Sequence, residues 1–296
     1  MNRYADASAL RQAIEARLKQ TSDDDGTDLG RLRRIFVFDR LLSRLALAPR
    51  GRWILKGGAA LEFRLSSRAR ATKDLDVATR AEDDDGGVLR DALIEALTDD
   101  TDHDWFTFRL GAAKELAPDA AGRRAWRYTV ESWLAGKMFA AIRLDVAARS
   151  EELVMTQLVE LPGALAFAGI PARSIETVSS EQHFAEKLHA LTRDYGERPN
   201  TRIKDLVDLV LLIDAGLHPD QTLLAVVRHV FAVRATHQVP TALPDPPPNW
   251  RQGYPTLAAG LTVSAAELPD AMNVLRAFWD STLTADTLVA DKRTES

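Results

Sequence analysis

Cysteine is absent from this sequence of 296 residues. Its absence excludes a disulfide framework and any metal site built on thiolates, and it is consistent with a reducing compartment. Long apolar runs are missing too: stretches such as LVLLI at 209–213 are far shorter than the roughly 20 residues that span a bilayer. The first twenty residues mix charges into a helical pattern and contain no apolar signal-peptide region. We therefore expect a cytoplasmic protein that does not enter a membrane.

The sequence also lacks an overall excess of positive charge. Its net charge of −5 and pI of about 5.7 argue against a general nucleic-acid coat protein, which would be basic. Locally the balance is reversed, because residues 52–80 contain seven lysines and arginines against three acidic residues. Such a field can steer a polyanion, with a strength that depends on salt. A solvated helix face is the alternative explanation of the same charges.

The hydrophobic pattern predicts two kinds of structure along the chain. Hydrophobic residues make up 46% and charged residues 27%, which is typical of a globular protein. Two N-terminal helices precede short strand-like segments, including WILK, DLDVAT and FAAIRLDVAA, whereas helical periodicity dominates after about residue 155. Six of the 13 prolines fall in 240–255, which predicts a loop or a rigid connector, and a last helix is expected over about 264–284. The fold class is thus α/β (α+β), with an α/β domain over 1–155 and a helical domain over 156–296.

Two strand-like segments have carboxylates on one face. In KDLDVA, the period of two places Asp74 and Asp76 on the face opposite Leu75 and Val77. Two carboxylates this close repel each other unless a cation lies between them, and Mg²⁺ favours oxygen ligands together with substrate phosphates. IRLDVAA repeats the pattern and offers Asp145 as a third metal ligand. Alternatively, the first pair lies in a turn or an exposed ladder and Asp145 is a surface residue.

A glycine turn precedes the first of these strands. Lys56, Gly57 and Gly58 follow the strand WIL and precede a helix that is expected to start at Ala59. Glycines between a strand and a helix allow backbone N–H groups to approach a phosphate at the helix N-terminus. The same two glycines are also compatible with a simple tight turn.

Two charged residues of the C-terminal half lie on apolar helices. Lys187 lies at the edge of the apolar face of HFAEKLHAL, where it can either reach along the surface or project into a cleft. Asp208 lies on a helix that is apolar almost all round, so it needs a partner, for which Lys204 and Lys187 are the candidates. A purely structural ion pair is the alternative.

Together these segments resemble the AbiEii/AbiGii-type nucleotidyltransferases, toxins of bacterial toxin–antitoxin systems within the polymerase-β-like superfamily. The matching motifs are LKGGAAL, ATKDLDV after an arginine-rich stretch, IRLDVAA, EQHFAEKLHAL and RIKDLVDL, which cover about residues 50–215. The mycobacterial MenT toxins are similar in length and pattern. One feature differs: the superfamily turn is usually Gly-Ser with a shorter spacing to the DxD motif, whereas here it is Gly57-Gly58.

The resemblance implies a polymerase-β-like nucleotidyltransferase core whose active-site cleft is completed by the helical domain. It implies Mg²⁺ on Asp74 and Asp76, with Asp145 as a further ligand, and catalytic roles for Asp74, Asp76, Lys187 and Asp208. The implied nucleotide-binding residues are Lys56, Gly57, Gly58, Thr72 and Lys187. The implied RNA contacts are Arg64, Arg68 and Arg70. Arg202, Lys204 and Asp205 belong to the same motif without an assigned role.

The function implied by the resemblance is transfer of nucleotides from an NTP to the 3′ end of tRNA. This would block translation and require a cognate antitoxin as partner. Two alternatives remain at this point. One is a nucleotidyltransferase or kinase that acts on a protein hydroxyl, and the other is a nucleotide-binding module without turnover.

Overall fold

The computed structural model describes residues 3–65, 68–81, 85–119 and 122–294. The chain divides into two compact units. The sheet unit comprises Met1–Arg64, Ala71–Ser150 and Gln157–Thr177, and the helical unit comprises Leu65–Arg70, Glu151–Thr156 and Val178–Ser296. The sheet unit therefore extends past residue 155, the boundary that was predicted from the sequence.

Helices and strands are mixed up to residue 178, and the elements after it are all helices among the described residues. The helices are α1 (Ala7–Asp25), α2 (Leu29–Leu45), α3 (Gly57–Leu65), α4 (Gly86–Thr98), α5 (Ser180–Thr192), α6 (Ile203–Asp214), α7 (Gln221–Arg234), α8 (Trp250–Ala258) and α9 (Leu268–Thr294). The strands are β1 (Ile54–Lys56), β2 (Asp74–Thr79), β3 (Thr107–Leu110), β4 (Lys114–Glu115), β5 (Trp126–Leu134), β6 (Lys137–Ala148), β7 (Thr156–Glu160) and β8 (Ser174–Val178). The predicted fold class, a mixed α/β domain followed by a helical one, is confirmed.

The strands form one mixed sheet in the order β3-β5-β6-β2-β1-β8-β7, with β4 paired to β5. Strand β2 runs antiparallel to β1 and parallel to β6, so it is central and has a neighbour on each side. Strand β5 buries alternate residues, as expected for a sheet with one face on a core. Helices α2 and α4 pack on this face, where Phe36, Phe106 and Phe139 form an aromatic cluster. The opposite face is left for polar side chains.

The hairpin of β5 and β6 has an irregularity that sets its register. The turn residues Ala135 and Gly136 both have positive φ, which is typical of a two-residue type I′ turn. Beyond it the pairing shifts by one residue at a bulge between Ser132 and Trp133. The shift changes which residue of β5 lies opposite each residue of β6. Because side chains alternate with period two, it also changes which side chains lie together on one face of the sheet.

One predicted loop is wrong over its last six residues. Residues 250–255 lie in α8, which contains Pro255. A proline inside a helix removes a backbone hydrogen bond, but here buried aromatic side chains outweigh that loss. Trp250 donates from its indole to the carbonyl of Asn200 at 3.0 Å, and the hydroxyl of Tyr254 donates to the carbonyl of Ala265 at 3.1 Å. Tertiary packing therefore overrides the local proline signal.

The helical unit is built around α6. Helix α6 packs against α5, α8 and α9, and its residues 205–212 are all buried. Gly216, with φ of +92°, follows the helix and allows the chain to turn away. None of the helices among the described residues combines the length and the hydropathy needed to cross a bilayer.

Candidate nucleotidyl-transfer site

Three predicted carboxylates lie together on the polar face of the sheet. On β2, Leu75 and Val77 are buried, whereas Asp74 and Asp76 are partly exposed on the other face. Asp145 on β6 is the register partner of Asp76. The alternation predicted from the sequence thus places these residues side by side across two parallel strands.

The carboxylates belong to a row of charges across four strands. Register pairing joins Lys56 on β1 to Asp76 on β2, Asp76 to Asp145 on β6, and Asp145 to Arg127 on β5. Each end of the row is therefore a cation and its centre is a pair of carboxylates. We call these four residues the charged row.

Two arginines contact the carboxylates directly. Arg127 donates from Nε and Nη2 to the two oxygens of Asp145, each at 2.7 Å, and its Nη2 lies 3.8 Å from Oδ2 of Asp74. The hydrogen bond to Asp145 is the main cause that raises the pKa of Arg127, so it stays protonated. Arg143 lies with Nε 2.9 Å from Oδ1 of Asp74, an ion pair without hydrogen-bond geometry. Sequence reasoning assigned no role to either arginine.

The glycine turn packs directly against Asp76. Strand β1 ends at Lys56 and α3 begins at Gly57, two residues earlier than the sequence predicted. Gly57 has φ of +63°, and a Cβ at this position would lie 2.1 Å from Oδ2 of Asp76. Gly57 is therefore required both for its backbone conformation and for the space that the carboxylate occupies.

We expect Gly57→Ala to destabilise the protein more than Gly26→Ala does. Both glycines have a left-handed backbone, which costs an alanine about 1–2 kcal/mol, but nothing lies within 4 Å of a Cβ at Gly26. The overlap with Asp76 should add about 1–3 kcal/mol at position 57. Urea unfolding of the two variants measures the difference, and equal costs would contradict the close contact.

Thr72 is held by the protein rather than directed outward. Its backbone N–H donates to Glu62 at 3.3 Å, and its hydroxyl donates to the carbonyl of Asp74 at 3.3 Å. Glu62, buried on α3, also forms an ion pair of 2.8 Å with Arg31. These contacts fix the segment that leads into β2, and the predicted role of Thr72 in nucleotide binding stays a prediction.

A second cluster of predicted site residues lies within the helical unit. Asp208 on α6 has no exposed surface, and Lys187 on α5 lies with Nζ 2.7 Å from it. The same ammonium donates to Asp205 at 2.7 Å. Arg70 donates from Nε and Nη2 to the two oxygens of Asp208, each at 2.8 Å. We call these four residues the buried ion cluster.

The cluster keeps its members charged. Burial alone would raise the pKa of Asp208, but the ion pairs with Lys187 and Arg70 outweigh burial and hold that pKa below its usual value. Burial would likewise lower the pKa of Lys187, but the carboxylates of Asp208 and Asp205 raise it above the ordinary lysine value. The need of Asp208 for a partner was correctly predicted. Of the two candidates, Lys187 supplies the contact and Lys204 is exposed.

Comparison with known proteins decides the family. Residues 40–280 match the family model described as "Nucleotidyl transferase AbiEii toxin, Type IV TA system". The chain belongs to the AbiEii family. The resemblance inferred from the motifs is confirmed, and both the charged row and the buried ion cluster lie inside the matched range. A type IV toxin–antitoxin family also implies an antitoxin partner for this AbiEii protein.

Two solved structures are similar to this AbiEii chain at low identity. One, a protein from H. pylori described as a nucleotidyltransferase, is 12% identical, covers 91% of this chain and 99% of its own, and has a TM-score of 0.41. The other, an antigenic nucleotidyltransferase-like protein from Paracoccidioides brasiliensis, is 14% identical, covers 70% and 94%, and has a TM-score of 0.38. No curated protein matches the chain.

The structure groups the predicted AbiEii site residues by unit. The sheet unit contains Lys56, Gly57, Gly58, Thr72, Asp74, Asp76 and Asp145. The helical unit contains Lys187, Asp205 and Asp208. Of the predicted RNA contacts, Arg64 and Arg68 are partly buried, and Arg70 is bound to Asp208. Arg70 therefore has a structural partner that its position in an arginine-rich stretch did not indicate.

The carboxylates of this AbiEii chain differ in their fitness for a metal ion. Among the described residues, no group of three or more Asp, Glu or His side chains is arranged to hold one. Asp74 and Asp76 fit as a pair, since they share a face and present carboxylate oxygens, the ligands that Mg²⁺ prefers. Both oxygens of Asp145 are bound by Arg127.

Proposed function

We propose that this protein transfers a nucleotidyl group from an NTP to the 3′-hydroxyl of tRNA. The observation that carries the proposal is the pair Asp74 and Asp76 beside the turn at Gly57, in a member of a nucleotidyl transferase family. Such a pair next to a helix N-terminus matches what a triphosphate and its metal ion need.

The chain's own residues have separate tasks in this proposal. Asp74 and Asp76 hold Mg²⁺, which when bound supplies positive charge at the reacting phosphate. Backbone N–H groups of Gly57 and Gly58, at the start of α3, orient the phosphates together with Lys56. The close contact of Gly57 with Asp76 keeps the phosphate-binding turn and the carboxylates in a fixed relation.

The reaction forms one bond and breaks one. The 3′-hydroxyl oxygen bonds to the α-phosphorus of the NTP while the bond from that phosphorus to the bridging oxygen of the β-phosphate breaks. Pyrophosphate leaves with the bonding electrons, and the hydroxyl proton passes to solvent. The protein contributes position and charge rather than a covalent intermediate.

The acceptor is the finer part of the proposal. The surplus of cations in residues 52–80 of an otherwise acidic chain supports a polyanionic acceptor. A tRNA whose 3′ end carries added nucleotides is not a substrate for aminoacylation, so translation would stop. That outcome accounts for membership in a toxin family whose members act with an antitoxin. The same proposal places the protein in the cytoplasm, where tRNA is found.

Incubation of the full-length protein with total tRNA, Mg²⁺ and each α-labelled NTP in turn tests the proposal. We expect label on tRNA from one or two of the NTPs, increasing with time. Label on protein bands alone would overturn the tRNA acceptor and favour a protein hydroxyl. Tight NTP binding without labelled product at several metal concentrations would overturn transfer itself.

A further inference from the structure

We propose that Arg127 binds the triphosphate of the nucleotide and that Asp145 positions Arg127 instead of binding a metal ion. The inference rests on the proposed nucleotidyl transfer, and it assigns a role to a residue on β5 that the motifs do not include. It also gives Asp145 a different role from Asp74 and Asp76, although the similar strand pattern had suggested that all three bind a metal ion.

The geometry of the pair is the first argument. Both oxygens of Asp145 accept hydrogen bonds of 2.7 Å from Arg127, the two-pronged arrangement in which arginine binds a carboxylate most strongly. The side chain of Asp145 is only 15% exposed, which leaves little room for an additional ligand. A metal ion on Asp145 would have to bind a carboxylate whose two oxygens already accept from the guanidinium, or displace the guanidinium and leave it without its partner.

The direction of the guanidinium is the second argument. Its Nη2 lies 3.8 Å from Oδ2 of Asp74, so the group points toward one of the two residues that fit the metal ion. The side chain is 29% exposed and can meet a ligand above the sheet. A guanidinium has five N–H donors in a rigid plane, and Asp145 takes two of them. Three donors of the same plane therefore remain for phosphate oxygens.

Charge balance is the third argument. Three carboxylates on this face, Asp74, Asp76 and Asp145, face three cations, Lys56, Arg127 and Arg143. These six charges are thus balanced before anything binds. A metal ion on Asp74 and Asp76 adds positive charge, which a triphosphate neutralises. Arg127 can share its charge with the phosphates while Asp145 keeps its orientation.

The decisive variant removes both partners and conserves the charge of the site. In Arg127→Gln/Asp145→Asn, one positive and one negative charge disappear together. We expect Mn²⁺, used as a probe for Mg²⁺ in calorimetric titration, to bind this variant within about twofold of the wild type, because Asp74 and Asp76 remain. A loss of tenfold or more in Mn²⁺ affinity would show that Asp145 is a metal ligand and would overturn the proposal.

Nucleotide affinity tests the other half of the inference. Binding of ATP, CTP, GTP and UTP is measured by titration in the presence of Mn²⁺ and without an acceptor. We expect Arg127→Gln to bind the preferred nucleotide about 10- to 100-fold more weakly, the range for one lost hydrogen-bonded charge contact. Asp145→Asn should weaken binding less, and the double variant should be no weaker than Arg127→Gln. Arg127→Lys should be intermediate, since it keeps the charge and loses the two-pronged contact.

A matched pair elsewhere in the sheet unit provides the control. Arg124 and Glu115 form an exposed ion pair of 2.7 Å, and Arg124→Gln should leave both titrations unchanged. Equal nucleotide affinity of Arg127→Gln and the wild type would overturn this inference alone. A wild-type protein that binds none of the four nucleotides would overturn the proposed function as well.

Discussion

Replacement of Asp208 by asparagine is expected to lower the free energy of unfolding by about 3–5 kcal/mol. The carboxylate has no exposed surface and accepts from both Arg70 and Lys187. Asparagine has nearly the same shape, but it carries no charge and directs an amide N–H₂ toward a cation. Two cations would then remain near the core with Asp205 as their only carboxylate in the buried ion cluster. Equilibrium unfolding in urea, followed by circular dichroism, measures the loss.

Two further variants identify the cause of that loss. Asp205→Asn removes one of the two carboxylates that contact Lys187 and leaves Asp208 in place. It should therefore lower the free energy of unfolding by only about 1–2 kcal/mol. A quadruple variant, Arg70→Met/Lys187→Met/Asp205→Asn/Asp208→Leu, removes all four charges of the buried ion cluster and should recover most of the stability of the wild type. If Asp208→Asn unfolded at the wild-type urea concentration, the buried ion cluster would have no role in stability.

The local elements were predictable because their patterns are strong. The alternation in DLDVAT and IRLDVAA predicted β2 and β6 and correctly placed Asp74 and Asp76 on one face. The all-round apolar pattern of RIKDLVDLVLLID predicted a buried α6 and a partnered Asp208. Both inferences depend only on the spacing of apolar and polar residues along one short segment, which can be read directly from the sequence.

The partner of Asp145 was not predictable, because it depends on an irregularity in a hairpin. Strand β5 pairs with β6 from Leu134 opposite Lys137 at the turn. Without the bulge, the same register would place Arg127 opposite Leu144 instead of Asp145. The shift between Ser132 and Trp133 moves the register by one residue and brings the charges together. The sequence shows that Arg127 lies on a polar face, but not which residue it meets.

The partner of Asp208 illustrates a different limit. Lys204 lies one helical turn away on the same helix, so local geometry made it a candidate beside Lys187. The second cation, Arg70, is separated from Asp208 by 138 positions in the chain. Its place in an arginine-rich stretch suggested contact with RNA, a prediction that no observation tests. Contacts between distant segments follow from the whole fold and leave no periodic signal.

Replacement of Asp76 by asparagine should lower activity far more than stability. We expect nucleotidyl transfer to tRNA to fall at least about 1,000-fold, because a neutral side chain binds the metal ion poorly and lies beside the reacting phosphates. The free energy of unfolding should change by less than about 1 kcal/mol, since Asp76 is partly exposed and the amide occupies the same space against Gly57. Initial rates with the preferred α-labelled NTP, and urea unfolding of the same preparation, measure the two effects separately.

Glu115→Gln is the matched control for this comparison, since it neutralises an acid of an exposed ion pair in the sheet unit that does not belong to the charged row. It should leave both the rate and the unfolding midpoint unchanged. An Asp76→Asn protein that kept a tenth or more of the wild-type rate would exclude this carboxylate from the reaction. An Asp76→Asn protein that unfolded as easily as Asp208→Asn would show that Asp76 stabilises the fold. Substitution of a partly exposed catalytic carboxylate should instead lower the activity of the protein much more than its stability.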